Sequence, residues 1–363
     1  MRNPGTSANE LSPSRMTVAL AFAAVYIIWG STYLAIRVGV ETIPPLLMAG
    51  VRFVIAGAAL YAWAKWRGVP RPERVHWRSA MIVGGLLLLG GNGGVCWAEQ
   101  HVPSGVAALL VTSVPLWLVL LNWLRRHGVR PSAAEVIGLI LGFVGVVVLI
   151  DPRSIAGHEP VDRIGAGVLV LASFLWALGS LYSRHTPLPS SPLMSTAMQM
   201  ICGGVLLLIA SAATGDAWKH EWSGISLRSL LAMAYLIVFG ALIGFTAYVY
   251  ILKVSTPARV GTYAYVNPVI AVLLGWGFAR ESVTWTTALA MAIILSGVVL
   301  ITMHRTKAAT AAARMPAESD SAPDGPSSKE SAMFMAPPSA VSQAPPMLQP
   351  DEAEDEEATC TAC

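Results

Sequence analysis

Ten stretches of about 20 mostly apolar residues follow one another along this chain, with short polar loops between them. An α-helix of that length crosses the ~30 Å hydrocarbon core of a bilayer, because each residue adds ~1.5 Å. Only 12% of the 363 residues are charged, whereas soluble domains carry about 25%. The predicted spans are Val18–Ile36, Leu46–Ala64, Ser79–Ala98, Ser104–Leu124, Ala133–Ile150, Ile164–Tyr182, Leu193–Ala213, Leu227–Leu252, Pro257–Phe278 and Thr284–Met303. We therefore predict an all-α membrane protein with ten transmembrane helices.

The chain also repeats itself with a period near 150 residues, which is too long for a solenoid and suits a duplicated membrane module. The offset between matching residues is 147 in the early helices, 153 in the middle and 152 near the end of each half. The aligned pairs are Trp29 with Trp176, Arg37 with Arg184, Pro45 with Pro192, Gly57 with Gly204, Gly91 with Gly244, Pro115 with Pro268 and Gly145 with Gly297. One ancestral unit used twice explains these offsets.

Each unit contains five predicted spans, and an odd number of spans makes the two units insert with opposite orientation. The sequence thus predicts a first repeat over residues 18–151 and a second over residues 164–303, related by a pseudo-two-fold axis in the membrane plane. Residues 1–17 precede the first repeat as a cytoplasmic N-terminus. Residues 308–363 are rich in Ala, Pro, Ser and acidic residues, a composition typical of a disordered acidic tail.

The distribution of basic residues predicts the orientation of the chain. If the N-terminus is cytoplasmic, 16 Lys and Arg residues flank the inner ends of the spans and 6 flank the outer ends. This bias favours two cytoplasmic termini. Because the basic residues are scattered between apolar spans, we interpret them as topology signals and expect no nucleic-acid partner.

Several long strings resemble one family of membrane proteins. They are YIIWGSTYLAIRVGVETIPPLLMAGVRF, then AEQHVPSGVAALLVTSVP, then YAYVNPVIAVLLG. Together with the two five-helix units, they resemble the EamA family of the drug/metabolite transporter superfamily, and within it the YedA-like exporters of the bacterial inner membrane. The resemblance covers residues 18–303. It implies a secondary exporter of metabolites or drugs. One departure is that the Glu typical of a helix end in this family is present only in the second repeat, as Glu281.

Two polar residues lie at equivalent mid-span positions of the two repeats, Arg52 and Gln199. A charged side chain within a span costs at least ~2.5 kcal/mol and normally faces a cavity or a partner. Arg52 is therefore a candidate for binding a substrate carboxylate or phosphate. A structural role, in which the guanidinium bonds helix-end carbonyls or extends to the headgroups, is equally open.

Further candidates for the substrate site are polar or aromatic and lie in the middle of a span. Asn92 stands within Gly90-Gly91-Asn92-Gly93-Gly94, where four glycines favour a distorted helix. The other candidates are Trp29, Trp176, Tyr263 and Asn267, the last two on one helix face and next to the helix-breaking Pro268. Packing of the bundle is the alternative role for each of them. Glu99 and His101 are predicted at the outer end of the third span, where we favour a solvated helix end over a proton-binding or cation-binding site.

The leading functional hypothesis is a transporter that exports small amphiphilic metabolites, such as amino acids or their derivatives, or drugs, by alternating access. A multi-pass sensor or scaffold without transport activity is the alternative. An enzyme is not expected, since the chain has no HExxH motif, nucleophile elbow or clustered carboxylates. No P-loop, cofactor or metal site is expected either, so the partners are a small-molecule substrate and the lipid bilayer, with a homodimer left open.

Overall fold

A computed structural model describes residues 15–125, 130–150, 162–215, 222–255 and 262–314, which form helices and loops without a strand. We label the long helices α1 to α10 in chain order. Their bounds are Arg15–Gly39, Pro45–Trp66, Arg74–Ala98, Ser104–Leu124 and Ala133–Ile150 for α1 to α5, and Arg163–Ser183, Pro192–Thr214, Leu227–Val254, Tyr263–Ala279 and Trp285–Arg314 for α6 to α10. The predicted all-helical fold is confirmed over these residues.

Nine of the helices in the described part of the chain are long and apolar enough to cross a membrane. The remaining one, α9, has 17 residues and begins at Tyr263. The predicted start of this span at Pro257 lies outside the described residues. At the other end of the chain, α10 is helical as far as Arg314, so its last turns include the first residues of the predicted tail. The rest of the predicted tail, and residues 1–14, also lie outside the described residues.

Three of the helices are not regular α-helices from end to end. Residues Gly85–Gly93 of α3 and Leu236–Ile243 of α8 are π-helical. The glycines around Asn92 predict the first of these distortions, but no glycine cluster marks the second. The helix α4 is interrupted between Val111 and Val114. Its interruption has a local cause, because Pro115 has no N–H to donate to the carbonyl of Val111.

Helix packing relates the two halves of the chain. The helix α2 packs on its own counterpart α7, and α5 packs on its own counterpart α10. Further contacts join different helices of the two halves, since α1 packs on α8 and α9, while α6 packs on α3 and α4. Under the predicted repeat, each of these crossed contacts has its equivalent in the other half. This is the contact pattern that a two-fold relation between the repeats requires.

Glycines allow the closest of these helix contacts. A Cβ at Gly204 of α7 would lie 2.8 Å from the backbone nitrogen of Val54 in α2. A Cβ at Gly203 would lie 2.7 Å from the backbone oxygen of Gly84 in α3. Small residues permit such close backbone approach, which contributes van der Waals contact where lipid removes the hydrophobic driving force. The helix α7 is therefore fixed against both α2 and α3 near the centre of the molecule.

Candidate functional site

A polar cluster connects α2 and α3 in the interior of the bundle. Arg52 is only 4% exposed, and its Nη2 donates to Oδ1 of Asn92 at 2.5 Å. The thiol of Cys96 donates to the same oxygen at 3.5 Å. The Nε of Arg52 is buried and has no hydrogen-bond partner among the described residues. Arg52 and Asn92, two of the predicted site residues, are thus in direct contact, and the guanidinium keeps an N–H group that no described residue accepts.

Glu99 extends this cluster toward the end of α3. Its side chain is 0% exposed, and among the described residues neither carboxyl oxygen has a side-chain hydrogen-bond partner. Burial raises the pKa of Glu99 well above its usual range, and the nearby charge of Glu281 raises it further. Arg37 and Arg52 act in the opposite direction and only partly offset these effects. The expectation that Glu99 is a solvated helix end is therefore wrong.

A cleft of about 370 Å³ opens at the end of the bundle where α3 ends and α4 begins. It is lined by both basic and acidic side chains together with a few apolar ones. These are Arg37, Val38, Glu41, Pro103, Arg228, Phe278, Ala279, Arg280 and Glu281. Arg37 also donates to the backbone oxygen of Glu99 through Nη1. A single side chain therefore connects the cleft to the residue that carries the buried carboxyl.

Glu281 fixes the N-terminus of α4 from the other half of the chain. Its two carboxylate oxygens accept from the backbone N–H groups of Ser104 at 2.8 Å and Gly105 at 3.1 Å. These N–H groups belong to the first turn of a helix, where they have no intrahelical acceptor and where the helix dipole favours a negative charge. Arg280 adopts a left-handed conformation with φ 56°, which turns the chain so that Glu281 reaches α4. The single Glu noted in the sequence is thus a cap between the repeats.

An aromatic cluster lies between α1, α8 and α9. The ring centroid of Trp29 lies 5.0 Å from that of Tyr248 and 5.3 Å from that of Tyr263, and the two tyrosine rings are 5.8 Å apart. The indole N–H of Trp29 donates to the backbone oxygen of Gly240 at 3.2 Å. Trp29 and Tyr263, both predicted site residues, are therefore brought together, and Tyr248 joins them. Such rings offer flat, partly polar walls.

Trp176 occupies the equivalent position in the other half. A Cβ at Gly91 would lie 2.9 Å from the Trp176 ring, just as a Cβ at Gly244 would lie 2.7 Å from Nε1 of Trp29. Each tryptophan thus packs against a glycine of the other repeat: Gly91 lies within the π-helical stretch of α3, and Gly244 directly follows that of α8. The sequence offsets relate one tryptophan–glycine pair to the other. Trp176 is 36% exposed and lies outside the aromatic cluster.

Asn267 connects two helices, whereas Gln199 bonds a residue of its own helix. The Asn267 amide, with its nitrogen as donor, bonds the backbone oxygens of Tyr26 and Tyr263 at 3.3 Å and is 7% exposed. It therefore connects α1 to α9. Gln199 donates to Oγ of Ser195 at 2.9 Å on its own helix. The structure does not bring these two residues into contact with Arg52.

Comparison with known proteins decides the family. The model of the EamA-like transporter family matches residues 16–151 and again residues 163–303. The chain belongs to the EamA family. Two relatives carry names that agree with this result. "Uncharacterized inner membrane transporter YedA" of Escherichia coli (strain K12) is 41% identical over 286 residues, which are 78% of this chain and 90% of that protein. "Uncharacterized transporter YvbV" of Bacillus subtilis (strain 168) is 27% identical over 309 residues, covering 84% of this chain and 96% of that protein.

A solved crystal structure shares the fold of this EamA chain. It is 22% identical, with a TM-score of 0.55, and it covers 81% of this chain and 99% of the other. The family and the YedA relative, together with nine membrane-length helices among the described residues, identify the chain as a multi-pass inner-membrane transporter. The transporter class predicted from the sequence is confirmed at this level.

The sequence alone did not identify Arg37, Tyr248 and Glu281 as residues of the candidate site. Arg37 and Glu281 stand at helix ends, where a charge is normally solvated. Tyr248 is one of several aromatic residues in the apolar spans, and no neighbouring residue in the sequence distinguishes it from the others. One signal pointed to the polar group: Asn92, Cys96 and Glu99 are four and three residues apart, a spacing that places side chains on one helix face.

Proposed function

We propose that this chain exports small amphiphilic metabolites, such as amino acids or their derivatives, or drugs, as a secondary transporter that works by alternating access. The observation that carries the proposal is the buried Arg52 guanidinium, which has one donor without an acceptor in the interior of a membrane bundle. A desolvated cation of this kind attracts the carboxylate of a small molecule strongly, because the surrounding medium screens the charge poorly. The aromatic cluster supplies a surface for the apolar part of such a compound.

The transport cycle in this proposal uses an inverted repeat of ten spans, with α9 as the tenth. A helix of 17 residues reaches the lower limit of membrane-spanning length. The two halves, residues 18–151 and 164–303, would then rock against each other around the site. The crossed contacts of α1 with α9 and of α6 with α4, together with the exchanged tryptophan–glycine pairs, support this division. Both termini are cytoplasmic in this arrangement.

The proposal is tested by counterflow in proteoliposomes. Purified protein is reconstituted with an unlabelled compound inside, and entry of the same labelled compound is followed for a panel of amino acids and aromatic cations. Counterflow of at least one compound is expected, whereas a sensor or scaffold gives none with any of them. Because Glu281 caps α4 and Asn267 connects α1 to α9, they are poor test positions: their loss alters the scaffold.

The aromatic residues provide the sharper variants. Tyr263→Ala and Trp176→Ala are each expected to change the ranking of the panel compounds more than the amount of protein. Trp285→Ala is the matched control, since Trp285 is 78% exposed at the start of α10 and its loss leaves the ranking unchanged. Equal loss of transport for every compound would assign the two aromatic residues to packing. An unchanged ranking would remove them from the site.

A further inference from the structure

An apolar groove lies on the outside of the bundle and has a volume of about 410 Å³. Three helices line it, α1 between Ser31 and Val38, α8 between Arg228 and Tyr235, and α9 between Leu274 and Phe278. Arg228 is the charged residue among the lining residues, and the hydroxyls of Ser31 and Tyr235 hydrogen-bond each other at 2.6 Å. Leu231 and Phe278 are 62% and 76% exposed, so the groove is open to the surroundings of the bundle. In a membrane these surroundings are lipid chains.

The length of the groove matches one leaflet of a bilayer. On α1 its lining extends from Ser31 to Val38, a distance of ~10 Å along a helix that rises ~1.5 Å per residue. One leaflet contributes ~15 Å to the ~30 Å hydrocarbon core. Arg228 is the second residue of α8 and Val38 is next to the last residue of α1, so both lie at helix ends. A lipid whose headgroup lies at these helix ends places its chain along the groove.

The groove continues into the charged cleft at the end of the bundle. The two share Val38, Arg228 and Phe278 as lining residues. A charged surface and an apolar surface therefore meet at Arg228. The ligand that matches both surfaces is an amphiphile with a charged headgroup and an apolar chain, which is the chemistry of a phospholipid. Under the proposed topology this lipid belongs to the periplasmic leaflet.

The charges of the cleft indicate the type of headgroup. Three arginines and two glutamates line the cleft, which leaves an excess of one positive charge. Glu281 already accepts two backbone N–H groups of α4. Glu41 pairs with Arg228 at 3.8 Å, but the two side chains are 42% and 62% exposed, and an exposed ion pair of this kind contributes little. A phosphate group can therefore replace Glu41 as the acceptor for Arg228.

We propose that this groove binds one anionic phospholipid, with its phosphate at Arg228 and one acyl chain between α8 and α9. The guanidinium donates charge-assisted hydrogen bonds to the phosphate oxygens, a geometry that suits arginine better than lysine. The chain covers the exposed apolar side chains of the groove, Leu231 and Phe278 among them. This inference concerns a lipid partner and does not depend on the proposed export function.

Native mass spectrometry of the full-length protein in mild detergent tests the headgroup. The probe is phosphatidylglycerol, and the comparison lipid is phosphatidylcholine with the same chains, each added at limiting concentration. We expect the wild type to retain one phosphatidylglycerol molecule with a Kd at least about tenfold below that for phosphatidylcholine, because the zwitterionic headgroup adds a positive charge next to the arginines. Equal affinity for the two lipids, or retention of neither, would overturn the proposal.

Substitutions at the charged end test the role of Arg228. Arg228→Ala is expected to raise the Kd for phosphatidylglycerol about tenfold, whereas Glu41→Gln is expected to lower it about 1.5- to fivefold by removing the competing carboxylate. Arg163→Ala is the matched control. Arg163 is an exposed arginine at the start of α6, near the end of α3, and it lines neither the cleft nor the groove. The same Kd in Arg228→Ala and Arg163→Ala would refute phosphate binding at Arg228.

Substitutions in the groove test the position of the chain. Leu231→Trp places a larger side chain in the groove and is expected to weaken phosphatidylglycerol binding at least about fivefold. Leu230→Trp is the matched control, because Leu230 is the neighbouring residue of α8, is 42% exposed and does not line the groove. An equal effect of the two substitutions would contradict a chain in the groove. If a second copy of this chain covers the groove instead, the wild type forms dimers without added lipid and Leu231→Trp does not, and that result would also overturn the proposal.

Discussion

The contact between α5 and α10 predicts a large difference between two Gly→Ala variants. A Cβ at Gly297 would lie 2.5 Å from the backbone oxygen of Gly138 and 2.8 Å from the backbone nitrogen of Gly142. Since real Cβ atoms essentially never come within 3.0 Å of another heavy atom, the two helices must separate by about 0.5 Å. Backbone atoms cannot rotate away, so the adjustment involves the whole helix. Overpacking of this kind costs about 1–3 kcal/mol.

A control variant isolates the steric contribution. A Cβ at Gly167, on α6, meets no atom of the described residues within 4 Å. Gly167→Ala is therefore expected to be neutral or to stabilise by about 0.4–1 kcal/mol, because Ala restricts the unfolded chain. An intermediate case is Gly145→Ala, the repeat equivalent of Gly297. The added Cβ would lie 2.6 Å from the side chain of Ile294 and 3.0 Å from the backbone nitrogen of Ile294. Rotation of the Ile294 side chain relieves part of this clash.

The assay is thermal unfolding of the three variants in detergent, normalised to the membrane level of each protein. We expect the midpoint temperatures to fall in the order Gly167→Ala, Gly145→Ala, Gly297→Ala. If Gly297→Ala unfolds at the same temperature as Gly167→Ala, the helices are not in close contact in the membrane and the packing argument fails.

Three further predictions concern topology, substrate binding and pH. Reporter fusions at Arg74 should be cytoplasmic and those at Glu41 periplasmic, and a reversal at either position would break the ten-span arrangement. Arg52→Ala should reduce transport of anionic and zwitterionic compounds by roughly 10- to 100-fold, because a hydrogen bond to a charged group contributes about 1.5–3 kcal/mol. Arg52→Lys keeps the charge but loses the planar guanidinium that reaches Asn92, so it should restore only part of the wild-type transport. Transport by Arg52→Ala at the wild-type level would exclude Arg52 from the site. The pKa of Glu99 is raised in the folded protein. At a pH above the ordinary carboxyl pKa, the folded state therefore binds more protons than the unfolded state. Wild-type stability should consequently fall as the pH rises through the pKa of folded Glu99. Glu99→Gln should lack this pH-dependent loss, and parallel melting curves between about pH 5 and about pH 8 would contradict the buried acid.

The sequence predicted the fold because membrane insertion leaves few choices. Each span must satisfy its backbone hydrogen bonds internally, so length and hydropathy alone identify helices. The repeat offsets went further, since they paired Trp29 with Trp176 and Gly91 with Gly244. In the structure these four residues make two equivalent contacts. The offsets did not predict that each tryptophan contacts the glycine of the other repeat.

The candidate site was harder to predict because burial at a helix end depends on other segments. Glu99 is one residue beyond the end of α3, a position that is normally solvated. It is buried because the bundle and Arg37 cover it, and these contacts join residues about 60 positions apart. Likewise, Gln199 is the sequence counterpart of Arg52, but within the described part of the chain its side chain bonds Ser195 on its own helix. Matching positions in the repeats therefore share a place in the fold and differ in their chemistry.

This difference gives the two halves different side chains at equivalent positions. At the positions that the offset of 153 assigns to Asn92 and Glu99, the second repeat carries Phe245 and Leu252. In the reverse direction, Tyr263 corresponds to Leu110. The polar cluster thus belongs to the first repeat, whereas the aromatic cluster takes its tyrosines from the second. A fully symmetric pair of repeats would present the same surface to a ligand from both sides, and an amphiphilic molecule has two different ends. Under the proposed export function, divergence of the duplicated unit permits one half to bind the charged end and the other to bind the apolar end, while the tryptophan–glycine contacts remain equivalent in both.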